Sequence, residues 1–215
     1  MINHIMLFII AVALGVFGAF MEWNYGLVIA IIIGLTFINI GFFLYVVMQS
    51  QNINLINFVL NRNRKEPSYA CIIALKNEDI EEAKKQLEKA IHKYRKTAHA
   101  DTYAFMLAML NKDIDQARKY AHATKDEGLK EYNIATLDAY EGKGEAHFTV
   151  SYPKPWMSAA IKTTHYFYKG NHALYEQYKA ETLQLSKGIQ HASNLYTFQF
   201  NEKAQNSGQV AHTSS

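Results

Sequence analysis

Charge in this chain is partitioned along its length. Residues 1–61 contain no Lys, Arg or Asp and a single acid, Glu22, so all 22 basic residues and 18 of the 19 acids lie in residues 62–215. A uniform water-facing domain cannot be built this way, because a soluble surface needs charge wherever the chain is exposed. The overall composition, 49% hydrophobic and 19% charged, therefore averages two unlike segments. The only cysteine, Cys71, excludes an intramolecular disulfide framework and a cysteine-based zinc site.

Two uncharged runs fill the first segment. Ile5 to Met21 is 17 residues and Gly26 to Met48 is 23 residues. As helices they reach about 26 and 35 Å, against a hydrocarbon core of about 30 Å. A cleaved signal peptide fits poorly, since Met-Ile-Asn-His carries no basic residue and a second apolar run follows closely. The connector Glu22-Trp23-Asn24-Tyr25 permits only a tight hairpin and offers two aromatics suited to the headgroup level. Positive charge first appears at Arg62, Arg64 and Lys65, which predicts that both termini face the cytoplasm. Small residues recur at every fourth position, as Ala11, Gly15 and Ala19 and as Gly26, Ala30 and Gly34. Such stripes allow close helix packing in lipid, either within the hairpin or between copies of the chain. Residues 49–61 keep apolar groups at helical spacing, and that spacing leaves open whether they extend the second span or lie on the membrane surface.

The second segment repeats itself. Tyr69, Ala70, Ala74, Asn77, Asp79, Ile80 and Ala83 recur as Tyr103, Ala104, Ala108, Asn111, Asp113, Ile114 and Ala117, each displaced by 34 residues. A fixed period of this size predicts stacked helix pairs. Asp79 with Glu82, and Asp113 with Gln116, have the capping-box spacing for the start of the second helix of each pair. Pro67 suits the first turn of the first helix.

On these residues the chain resembles the tetratricopeptide repeat (TPR) family over residues 66–124. The small-large-small pattern of the family's second helix is met by Ala83, Leu87 and Ala90; in the next copy Ala117 fits, while Ala121 and Thr124 depart from it. The first helix lacks the usual tryptophan, and Ala70 with Ile73 and Ala104 with Leu107 match only if the turn is one residue longer than usual. The resemblance implies an α-solenoid whose concave face is lined by the first helix of each pair and binds a peptide or protein. Carried over in that register, the exposed groove candidates are Arg64, Pro67 and Cys71, with Asp101 and Phe105. A shift of one residue substitutes Lys65, Ser68 and Ile72, with His99, Thr102 and Met106.

Past Lys125 the period decays but the punctuation continues. Gly128, Gly142, Gly144, Gly170 and Gly188 fall where helix ends are expected. Helices are predicted near 129–141, 156–169, 172–187 and 190–200, with a degenerate one after Gly144 and a break at Tyr152-Pro153-Lys154-Pro155. The expected layout is a hairpin at 1–48, an amphipathic linker at 49–65, a TPR-like domain at 66–200 and a disordered tail at 201–215. The fold class is all-α.

Signals for chemistry are sparse. There is no Gly-rich phosphate loop, GxSxG elbow or HExxH, and the nine histidines include no i, i+4 pair. Glu78, Asp79, Glu81 and Glu82 are explained by capping and the helix dipole. Cys71 sits in an apolar run with no base beside it, as a buried small hydrophobe does. The 13 aromatic residues between 132 and 200 fit either a peptide groove or core filling. Basic and acidic residues are interspersed, with a net charge of only +4 after residue 61, which argues against nucleic acid. No enzymatic activity, cofactor or metal is expected. The expected role is a membrane-anchored scaffold for a protein or peptide partner, or an accessory subunit of a membrane complex that binds through its hairpin.

Overall fold

In a computed structural model, residues 11–13, 15, 16, 18, 19 and 25–206 are described; ten of the seventeen residues of the first expected span, Glu22, Trp23 and Asn24 of the expected connector, and the tail beyond 206 lie outside them. Regular structure among the described residues is entirely helical. Helix α1 spans Tyr25–Met48, α2 Ile53–Arg62, α3 Pro67–Lys76, α4 Ile80–Tyr94, α5 Ala100–Leu110, α6 Ile114–Ala123 and α7 Glu127–Tyr140. A short 3-10 turn at Gly144–His147 precedes α8 Pro155–Tyr168, α9 His172–Leu185 and α10 Gly188–Asn206.

Helix α1 contains a 23-residue stretch, Gly26–Met48, of mean hydropathy 2.7, long and apolar enough to cross a membrane. The rest of the protein covers only 6% of its most apolar window, whereas an apolar core helix is mostly buried. Its last turn is different, because Val46 is fully buried and Phe43 and Val47 pack against the main core.

Consecutive helices then stack in pairs from α3 to α9. The polar faces stay outside because apolar residues recur at helical spacing: Ala83, Leu87 and Ala90 of α4 are completely buried, as are Ala117 and Ala121 of α6. The turn inside each pair is built the same way. Asp79 N donates to Ala74 O and Asp113 N to Ala108 O, with Glu78 (φ 62°) and Lys112 (φ 57°) left-handed between them. Lys143 N to Asp138 O around Gly142 (φ 79°), and Asn171 N to Tyr166 O around Gly170 (φ 70°), repeat this helix-ending motif. The unit thus occurs four times, at spacings of 34, 30 and 28 residues between left-handed positions. Side-chain caps follow where the residue permits: Asp79 accepts from Glu82 N, Asp113 from Gln116 N and Asn171 from Leu174 N. In the third unit the 3-10 turn replaces the second helix.

Two of the glycines serve close approach rather than a left-handed turn. A Cβ on Gly128, inside the first turn of α7, would lie 2.4 Å from Pro153 Cγ. One on Gly144 would lie 2.9 Å from Ala139 Cα.

Helix α10 closes the array. From the last pair it returns to pack on α3, α2 and the end of α1. Its Ala192 and Tyr196 enter the cluster formed by Val46, Ile56, Val59, Leu60, Cys71, Leu75 and Leu87. At one end Glu202 accepts from Tyr175 Oη and Lys179 Nζ, both at 2.7 Å, while Lys203 pairs with Glu78 of the first turn. Tyr196 Oη donates to Asn57 Oδ1 at 2.7 Å.

Two expected boundaries change accordingly. Residues 49–61, expected either to extend the span or to lie on the membrane surface, leave the line of α1 after Met48: Asn52 caps α2, and Ile56, Val59 and Leu60 are buried in the main core while Phe58 is exposed. The expected tail from residue 201 is helical as far as Asn206, because Glu202, Lys203 and Ala204 make closing contacts.

A polar clasp holds the root of α1. Gln51 Nε2 donates to the carbonyl oxygens of Leu183, Gln184 and Ser186 at the end of α9, at 3.3, 2.7 and 3.0 Å. Gly188 N donates to Ser50 O at 2.7 Å. The apolar helix α1 is thereby joined to the helical array by direct hydrogen bonds next to its C-terminal end.

Candidate functional site

Four first helices, α3, α5, α7 and α8, form the inner face of the array, and α10 lies across it. Between them is a cavity of about 340 Å³, within the range of small-molecule sites. Each helix contributes a stripe at helical spacing: Cys71 and Leu75 from α3, Thr102, Phe105, Met106 and Met109 from α5, and Tyr132, Asn133, Thr136 and Tyr140 from α7. Helix α8 adds Trp156, Met157, Ala160, Thr164 and Tyr168, and α10 adds Gln190, Ser193, Asn194, Thr197, Phe198 and Asn201.

No lining residue is an acid, a lysine, an arginine or a histidine. Those that can ionise are held neutral. Burial pushes the Cys71 thiol up to about 12 and the Tyr132 hydroxyl up to about 12, and it also raises Tyr140 and Tyr168. Cys71 is thus a protonated thiol, unsuited to nucleophilic attack.

Several polar groups of the wall have partners within the fold. Thr136 Oγ1 donates to Tyr132 O at 2.8 Å, Thr164 Oγ1 to Ala160 O at 3.0 Å, and Asn133 Nδ2 to Thr124 Oγ1 at 3.1 Å. Asn194 Nδ2 and Thr102 Oγ1 are buried out of reach of the cavity's open space and have no hydrogen-bond partner among the described residues. Asn194 is 8% exposed, and its Oδ1 accepts from Gln190 Nε2 at 2.9 Å, so the amide is fixed with its donor unused. A buried donor left unmade costs about 1–3 kcal/mol.

Of the five groove candidates, Cys71 and Phe105 line this cavity; Arg64, Pro67 and Asp101 lie outside its wall. The expectation that they are exposed fails for Pro67, Cys71 and Phe105, which are buried. Cys71 is buried in the cluster that includes Ala192 and Tyr196 of α10, and Phe105 in the one it forms with Ala108, Ala117, Ala121 and Leu137. Thr102 and Met106 of the alternative register also line the cavity, whereas Lys65, Ser68, Ile72 and His99 do not. Of the six small residues proposed for membrane packing, Gly15 and Gly34 have no atom within 4 Å of an added Cβ among the described residues. Ala11 is half-buried and Ala19, Gly26 and Ala30 are exposed.

Comparison with protein-family models, curated proteins and solved structures yields no match for the chain. Among the described residues, no group of three or more His, Cys, Asp or Glu is placed to hold a metal.

One titratable group beside the third unit has a pH consequence. His165 is 1% exposed, its Nδ1 has no partner among the described residues, and its Nε2 stands 3.4 Å from the exposed Glu145 carboxylate. Burial holds its pKa below the ordinary 6.5, with Glu145 opposing and Lys169 adding to the depression. The unfolded chain therefore takes up this proton first as pH falls. The stabilising contribution is complete above the ordinary value and is lost as pH drops through the folded-state pKa. Urea midpoints of the wild type are expected to fall between pH 7.5 and 5.5, and H165F to flatten that fall. A parallel pH dependence in H165F would show that other groups are responsible.

Proposed function

We propose that the chain is a membrane-anchored recognition protein: two apolar segments cross the bilayer as a hairpin with both termini cytoplasmic, and a TPR-like array binds a protein or peptide partner. The observation that carries this reading is α10. A helix of the chain's own faces the inner helices across the cavity, held at its start by Gly188 on Ser50, midway by Tyr196 on Asn57 and at its end by Glu202 and Lys203, so this side of the array already accommodates a helical segment. The clasp at Gln51 and Gly188 supports the anchoring role, because it presents the array in one orientation to the bilayer. A binding role, without catalysis or cofactor, is favoured by a cavity wall lacking acids, bases and an activated nucleophile.

A second reading has an observation of its own. Helix α1 is almost uncovered and Gly34 has no close neighbour among the described residues, which suits an accessory subunit that binds another membrane helix, or a homo-oligomer formed through the hairpin.

Photo-crosslinking in cells separates the two. With the crosslinker at Asp101 or Arg64, beside the array, one defined partner is expected, and its yield is expected to rise when E202A and K203A loosen α10. Crosslinks confined to position 34 would favour the hairpin reading, and failure at both places would remove the recognition role.

A further inference from the structure

We propose that the rim of the array to which α1 is joined rests against anionic headgroups of the bilayer that α1 crosses. This rests on the reading of α1 as a membrane span and adds a second, charge-dependent contact with the membrane, made by the folded domain itself.

Charges that are interspersed along the sequence are sorted by the fold. Consecutive helices of the array run back and forth, so their connections fall on two opposite rims. Turns inside the pairs, at 77–79, 111–113, 141–143 and 169–171, make one rim. Connections that lead into and out of the pairs, at 63–66, 95–99, 124–126, 148–154 and 186–187, make the other. Neighbouring connections touch there: Glu66 accepts from Tyr94 Oη and Lys93 Nζ, and Gly128 lies against Pro153. Helix α1 joins at this second rim, since Gly188 N donates to Ser50 O and Gln51 Nε2 donates to the carbonyl oxygens of Leu183, Gln184 and Ser186.

The two rims differ in charge and in apolar exposure. Beside α1 stand Arg64, Lys65, Arg95, Lys96, Lys125, Lys154 and Lys187, seven basic residues against two acids, Glu66 and Asp126. All seven are exposed and none has an ion-pair partner among the described residues, whereas Glu66 is held by Lys93 and Asp126 caps α7. The far rim has three basic residues, Lys112, Lys143 and Lys169, against four acids, Glu78, Asp79, Asp113 and Glu141. Two of the three large apolar side chains that α2 to α10 leave exposed, Val150 and Leu185, also lie at the rim beside α1. Clusters of about four to eight Lys or Arg next to a membrane span attract anionic lipid, each contributing about fivefold in affinity near the surface. The apolar pair among them and the continuity with α1 favour a bilayer over nucleic acid, whose phosphate backbone offers no apolar contact.

Energy transfer from dye to lipid tests this in the full chain. A donor on S151C, at the rim beside α1, or on N111C, at the far rim, is paired with acceptor-labelled headgroups in nanodiscs of phosphatidylcholine alone or with about 30% phosphatidylserine. Cys71 is buried and stays unlabelled. With phosphatidylserine the S151C dye is expected to approach the headgroups by about 5 Å or more, and to retreat in about 0.5 M salt, where screening shortens the electrostatic reach to about 4 Å. The N111C dye is expected to approach less. K96E/K125E leaves five basic residues against four acids on the rim and is expected to abolish the lipid-dependent shift with far-UV circular dichroism unchanged; K154E/K187E is an independent pair should the first fail to fold. A chain that leaves the nanodiscs at high salt would overturn the span and the rim contact together. A chain that stays but gives equal S151C transfer on both lipids, or keeps the shift in a folded charge-reversal pair, would overturn the rim contact alone and point to an acidic protein or nucleic acid as the occupant.

Discussion

Replacing Gly188 with alanine is expected to lower the unfolding free energy of the intact chain by about 3 kcal/mol or more, among the largest effects open to a single methyl group. Two costs combine. Gly188 has a φ of +59°, where any residue with a Cβ is strained by about 1–2 kcal/mol. The added carbon would also stand 1.8 Å from Val47 O and 2.8 Å from Met48 N, both backbone atoms that no rotamer change can move aside. Relief requires α10 to back away from α1, which breaks the bond from Gly188 N to Ser50 O and loosens the Gln51 clasp. Urea midpoints in nanodiscs measure the loss. Hydrogen exchange should show it concentrated at residues 45–52 and 183–191. G41A, on the uncovered part of α1 where an added Cβ meets nothing within 4 Å, is the matched control and is expected to be nearly neutral. A G188A midpoint equal to wild type would mean that α1 is not locked to the array.

The helix pairs were legible because their signal is local. The 34-residue displacement, the capping aspartates and the small residues at Ala83 and Ala117 are all set by chemistry within one helix-turn-helix unit, and the first two units form as expected. The third and fourth depart from the 34-residue period for a physical reason. The left-handed position is held by Glu78 and Lys112 in the first two units but by Gly142 and Gly170 later, and the spacing contracts when a 3-10 turn stands in for a helix. The conserved element is a backbone hydrogen-bond pattern that many side chains can satisfy, so residue identity does not track it.

The site was less legible, because it depends on where α10 goes. Nothing in residues 188–206 announces that they cross from the last pair to the first; the decisive contacts, Lys203 with Glu78 and Tyr196 with Asn57, join residues more than a hundred positions apart. Groove candidates chosen from single helices therefore included Arg64 and Asp101, outside the wall, and treated Cys71 and Phe105 as exposed. One signal was present: Thr102, Phe105, Met106 and Met109, like Ala160, Thr164 and Tyr168, form stripes mixing small polar and large apolar groups, unusual for a helix face buried only in a core. The unused donor of Asn194 had no sequence signal at all, since satisfaction of a hydrogen bond is a property of the folded neighbourhood.

Leu60 tests the same closure from the membrane side. It is 1% exposed and packs in the cluster that joins α2 to α3, α10 and the root of α1. If residues 49–65 were a linker resting on lipid, L60A would cost little, because the cavity it leaves would be filled by acyl chains. Set in a closed protein core, the truncation is expected to cost about 2–5 kcal/mol, the loss of buried side-chain carbon plus an unfilled void. Phe58, on the same helix but 48% exposed, supplies the contrast: F58A is expected to cost under about 1 kcal/mol. A surface-lying helix gives neither substitution a large effect on folding and makes F58A the more harmful for lipid contact. Urea midpoints of both variants, with the full chain in nanodiscs, distinguish the two arrangements. A large loss confined to L60A means that the segment after α1 is the first layer of the folded domain, in one core with Cys71 and Leu75 of α3.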